Sequence, residues 1–152
     1  MKPVFAFLAC LICIQLFACI KNNEMTSSSN DISNTDSMKL KITIGTNTFT
    51  ATVHNNATAT AFKAKLPLTI NMTELNGNEK YFDFPNNLPT NASNPGTIQT
   101  GDVMLYGSNT LVLFYKTFST SYNYSRIGRI DNPSGLEDAL GSGNKTVKFE
   151  LE

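Results

Sequence analysis

One histidine, two arginines and three cysteines are the scarce reactive groups of this chain, and their placing removes more mechanisms than it offers. Cys10, Cys13 and Cys19 all lie near the N-terminus, so everything after them lacks a thiol for a disulfide, a metal or a nucleophile. His54 would have to support alone any multi-histidine metal site or Ser-His-Asp relay. It follows an apparent strand and precedes two asparagines, which reads as an exposed position. Arg126 and Arg129 stand three apart, and on a regular strand that spacing points them to opposite faces, so they do not clamp one carboxylate together. Each is expected to pair with an acid such as Asp131 or Glu137, although either could serve an anionic ligand. Glu74, Glu79 and Asp83 gather near one turn but have no partner base, and they read as solvated charge. No catalytic residue, metal or cofactor is expected.

The aromatic residues offer binding rather than catalysis. The run 111–115, LVLFY, is apolar on both faces, so it is either a central strand or the border of a groove. Tyr122-Asn123-Tyr124-Ser125 reads as a polar aromatic loop, a composition that makes contact area at low entropy cost but also docks onto its own domain. Formal net charge is zero, with 12 Lys plus Arg against 12 Asp plus Glu. No global field would gather nucleic acid, and none is expected as a partner.

Cys19 carries a different chemistry. Lys2 precedes an apolar run from Val4 to Phe17 broken only by Gln15, and Leu16-Phe17-Ala18-Cys19 fits a bacterial lipobox. The small Ala18 admits the signal peptidase, and the Cys19 thiol takes the diacylglycerol. The apolar run is shorter than the ~20 residues that span a hydrocarbon core. The expected organisation is a lipoprotein signal peptide over 1–18, a lipidated flexible tether over 19–37, and one domain over 38–152. The tether, rich in Ser, Asn, Thr and Asp, cannot bury enough apolar surface to offset its ordering entropy. Ile20 is not the Asp that holds many lipoproteins in the inner membrane, so the expected place is the bacterial envelope: the outer membrane facing the periplasm in a Gram-negative cell, or the cell surface.

These groups need a scaffold, and the alternation of the sequence provides one. Met38, Leu40, Ile42 and Ile44 share one face of a strand, and Phe49, Ala51 and Val53 share a face of its hairpin partner across Gly45-Thr46-Asn47. Asn55 or Asn56 caps a short helix through Phe62 that Pro67 ends. Strands follow over 68–73, 80–84, 103–106, 110–116 and 126–130, separated by turn chemistry and by a proline-bearing loop over 85–96. A short helix after Pro133 runs to Leu140, and Val147, Phe149 and Leu151 form the inward face of the last strand. Many short strands with two brief helices predict a mainly β fold, a closed barrel with two capping helices.

The segments GDVMLY (101–106), SNTLVLFY (108–115), IGRI (127–130) and SGLEDAL (134–140) fall in the order and at the spacing of the second half of the cyclophilins. From Met38 onward the chain resembles a bacterial cyclophilin-like family of exported or small stand-alone barrels. The resemblance implies a groove along Tyr106, Leu111, Leu113 and Tyr115; alternation turns Val112 and Phe114 to the core, the loop bearing Tyr122 and Tyr124 is expected over the same face, and Arg126 is a further candidate for the groove. It does not carry the isomerase residues: no FHR arginine, no F-M-x-Q segment and no tryptophan stands in this chain. The function expected is a membrane-anchored, non-catalytic binding module for a small ligand or peptide segment, with a weak peptidyl-prolyl isomerase as the alternative.

Overall fold

The computed structural model describes residues 38–152; Cys19 and the segments expected to be a signal peptide and a tether lie outside the described residues. Eight strands close an antiparallel barrel in the order β1-β10-β3-β4-β7-β6-β9-β2. They are β1 (Lys39–Ile44), β2 (Asn47–Val53), β3 (Leu68–Leu75), β4 (Glu79–Asp83), β6 (Asp102–Tyr106), β7 (Thr110–Phe114), β9 (Tyr124–Ile130) and β10 (Lys145–Leu151). Two further strands, β5 (Thr97–Ile98) and β8 (Phe118–Ser119), pair outside the barrel as a small second sheet that the alternation pattern did not indicate.

Alternation sends Leu40, Ile42 and Ile44 of β1, Phe49, Ala51 and Val53 of β2, and Val147 and Phe149 of β10 into one core. The faces of these strands are as expected, except at the barrel's ends: Met38 and Leu151 continue the apolar rows but are 44% and 49% exposed. Helix α1 (Ala57–Lys63) is capped by Asn56, whose Oδ1 accepts from the Ala59 amide at 2.8 Å. Its Phe62 meets Phe149 edge to face, with ring centroids 5.6 Å apart. Helix α2 (Leu136–Leu140) adds Leu136, Ala139 and Leu140 to the same core.

β7 has both faces covered, but the two faces are the reverse of those expected. Leu111, Leu113 and Tyr115 point into the barrel, whereas Val112 and Phe114 join Ile98, Met104 and Tyr124 in a second, outer cluster with Tyr81 and Phe118. Where both faces of a strand are apolar, the pattern carries no sign to say which is inside. Also corrected is the relation of the two arginines. Between β6 and β9 the register slips at Val103/Met104, so Met104 pairs with Arg126 and Asp102 with Arg129. This bulge inserts a residue into β9 and brings both arginines to the outer face, which strict alternation forbids. Tyr124 and Ser125 belong to β9 and not to the preceding loop.

The loop over 85–96 is held to α1 and to the barrel by hydrogen bonds. Thr58 Oγ1 donates to the Pro89 carbonyl at 2.7 Å, and the Asn91 amide donates to Ser125 Oγ at 2.9 Å.

Candidate ligand groove

The outer faces of β4, β6, β7 and β9, walled by the chain over 118–122, enclose a groove of about 530 Å³. Its floor is the outer cluster, in which Phe114 meets Tyr124 edge to face at 5.5 Å and Phe118 at 5.7 Å. Tyr106 stands above, with its ring 5.6 Å from Tyr124 and 5.9 Å from Tyr122. Tyr106 and Tyr122 are 45% and 61% exposed, so two large rings border the opening without being consumed by the core. Together with Tyr81, four of the five tyrosines of the chain line this one groove.

Of the residues singled out in the sequence, the fold brings Tyr106, Tyr122 and Tyr124 together here. It takes Leu111, Leu113 and Tyr115 away: the two leucines are fully buried in the barrel, and the Tyr115 hydroxyl donates to Glu74 Oε1 at 2.8 Å. Val112 takes the place in the groove that Leu111 and Leu113 were expected to fill. Arg126 lies on the outer face of β9 beyond Tyr124 and is not among the lining residues; its carbonyl accepts from Asn56 Nδ2 at 2.9 Å. Arg129 donates from Nε to the buried carboxylate of Asp102 at 2.6 Å, not to Asp131 or Glu137, which pair with Lys39 and Lys116. Both arginines hold the exposed His54 below its ordinary pKa, after the larger effect of partial burial.

Three carboxylates that read alike in the sequence have separate environments. Glu74 receives Lys80, Tyr115 and the Gly77 amide; burial pushes its pKa up, and these hydrogen bonds outweigh the burial and hold it below the usual range. Asp83 accepts from Thr110 Oγ1 at 2.6 Å at the groove's edge. Glu79 is half-buried on β4 inside the groove, and burial followed by the charge of Glu74 pushes its pKa up to about 7. It is therefore no solvated surface charge. The outward face of β4, with Glu79, Tyr81 and Asp83 in alternate positions, is the part of the site that sequence reading missed. The alternation of β4 was visible, but the loop that covers it was not. Tyr124 is raised in turn by burial and then by Glu79, as two groups sharing one desolvated space must be.

Among the described residues, no cluster of three or more His, Cys, Asp or Glu could hold a metal, and no helix is long and apolar enough to cross a membrane. No curated protein matches the chain. A solved structure, that of a hypothetical protein from Archaeoglobus fulgidus, superimposes with a TM-score of 0.57 at 21% identity, covering 76% of this chain and 95% of that one. The likeness is one of fold. A family model described as the cyclophilin-like family matches residues 42–152, and on that span, which takes in nearly all of the barrel, the chain belongs to the cyclophilin-like family.

Proposed function

We propose that this protein is a lipid-anchored binding module whose barrel presents the tyrosine-edged groove to a small ligand or peptide segment in the bacterial envelope, without catalysing a reaction on it. The observation that carries the reading is the groove itself: about 530 Å³, with an apolar floor and exposed rings at its mouth. Those dimensions and that lining are typical of small-molecule sites. Isomerisation has no comparable support. Arg126 stands outside the groove and Arg129 is engaged by Asp102, so neither guanidinium is placed to donate to a prolyl nitrogen there.

The groove is tested through tyrosine emission, because the chain has no tryptophan and most of its tyrosines line the site. A panel of small alcohols, carboxylates, amines and short peptides should include members that change the emission saturably, and Tyr106→Ala should weaken them about tenfold. A panel without one saturable response would overturn the binding reading. Anchorage is tested separately: Cys19→Ser should abolish labelling by a fatty-acid analogue and leave an unprocessed precursor, and undiminished labelling would refute it.

A further inference from the structure

The charge of the groove narrows its occupant. None of its lining residues is Lys, Arg or His, whereas Glu79 and Asp83 both face it. Asp83 has Thr110 as a donor, but no hydrogen bond offsets the desolvation of Glu79. A carboxylate taken partly out of water without a donor is costly, and the cost disappears when a cation with N–H groups arrives. In the same groove stand Tyr81, Tyr106, Tyr122 and Tyr124, whose ring faces are negative and whose hydroxyls can accept. Apolar floor, aromatic walls and a single unsatisfied acid together describe a ligand with an apolar body and a positive end.

We propose that the groove binds a primary alkylammonium group on an apolar stem, with the ammonium at Glu79 and the stem over the floor of Val112 and Phe118 among the tyrosines. The inference rests on the binding role proposed above and names the chemistry of its ligand. A lysine side chain of a peptide and a free aliphatic amine share that chemistry, and both fit the groove's description. An anionic or neutral body of the same size would leave Glu79 as it is in the empty groove, so the site should discriminate by charge and not by shape.

Binding should also follow the ionisation of Glu79. Of the titratable groups near it, Tyr81 and Asp83 on β4, Tyr106 on β6, Tyr124 on β9 and Tyr122 on the covering segment line the same groove, while Glu74 on β3 and Tyr115, just after β7, act on it from the inner face of the sheet. Glu74 is held low and stays charged near neutrality, while Tyr115 and Tyr124 are raised and stay neutral. An acid titrating at about 7 is mostly protonated at pH 6 and mostly ionised at pH 8. Affinity for an ammonium should therefore rise about tenfold across that interval, in proportion to the competent fraction.

The experiment titrates the full-length protein with pentylammonium, pentanol, pentanoate and N-acetyl-lysine methylamide, read by tyrosine emission. Pentylammonium or the lysine derivative should bind at least about tenfold more tightly than pentanol and pentanoate. The tighter of the two cations identifies a free amine or a peptide side chain as the source. Glu79→Gln should remove both the preference and its pH dependence, and a single cooperative thermal melt shows that the variant is folded. Should that variant fail to fold, the wild-type rise between pH 6 and pH 8 decides the matter alone. Pentanol binding as well as pentylammonium would overturn the cation while leaving a ligand groove in place; so would an affinity indifferent to Glu79 or to pH. Silence from all four compounds would overturn it as well, and the wider panel then decides whether the groove binds anything.

Discussion

Lys80 has no exposed surface, and a buried ammonium persists only where its donors are all used. Here its Nζ bonds Glu74 and the carbonyls of Gly141 at 2.8 Å and Gly143 at 2.7 Å, tying β4 to the turn between α2 and β10. Lys80→Met would leave two carbonyls and a partly shielded carboxylate without their donor, for a loss of about 3 kcal/mol in urea unfolding. A loss below about 1 kcal/mol would show that water replaces the ammonium there. Glu79, one residue away on the opposite face, has the contrary effect. Its pKa rises from 4.5 unfolded to about 7 folded, so between those values the native state binds more protons and stability falls as pH rises. With allowance for solvent screening, the decline is on the order of 1–2 kcal/mol. His54, depressed in the fold, contributes the opposite slope below its unfolded value of 6.5, so the comparison must be made with Glu79→Gln and not read from the wild-type profile alone. The variant should gain on the wild type from pH 4.5 to pH 8, and parallel profiles would refute the assignment. Neither environment was legible beforehand: adjacent positions of a charged strand give two outward-or-inward choices, and only the neighbouring loop and helix turn make one acid half-buried and one base fully enclosed.

Strands whose two faces differ in polarity were readable, and those whose faces match were not. β1, β2 and β10 alternate apolar with polar, so their inward residues follow from the period alone. β7 is apolar from Leu111 onward, and its sign is set by β6 and β4, whose pairings place Val112 opposite Met104 and Tyr81 on the outer side. β9 departs from its pattern for another reason, since its bulge breaks the period between Arg126 and Arg129. Gly128 lies in that irregular stretch, where β9 passes close to β2: a Cβ there would sit 2.7 Å from the Thr52 carbonyl oxygen. Backbone cannot yield as a side chain tip can. Gly128→Ala should therefore force the two strands apart at the seam that closes the barrel, costing about 1–3 kcal/mol and raising amide exchange at Thr52 and Val53. An unaltered melt would mean that the seam adjusts without loss.

Closure also governs how the barrel can be cut. Each of its eight strands has two neighbours, so the ring itself has no exposed edge, and β1 is bonded to β10 from Leu40 to Ile44 and to β2 from Lys39 to Ile44. The start of alternation at Met38 and its end near Leu151 mark the first and last strands of the barrel, and the barrel class with its two helices follows from strand count and turn chemistry. The covering loop and β5-β8 sheet did not follow, because short bridged segments carry no period. The described residues hold one interior core and one outer cluster, built from the barrel, its two helices and its own loops. A protein trimmed to 38–152 should accordingly fold alone, with a β-type circular dichroism spectrum and one cooperative melt. Trimming seven residues further, to 45–152, removes all of β1. Leu40, Ile42 and Ile44 leave the core together, and the facing edges of β2 and β10 lose their partner at once. Three fully buried aliphatic side chains are worth about 1.5–3 kcal/mol each, a total comparable with the whole stability of a small domain. The shorter protein should therefore lose its cooperative transition and associate through its open edges, seen as a concentration-dependent mass in light scattering. If both proteins melt alike as monomers, β1 is dispensable and closure is not what holds the barrel together.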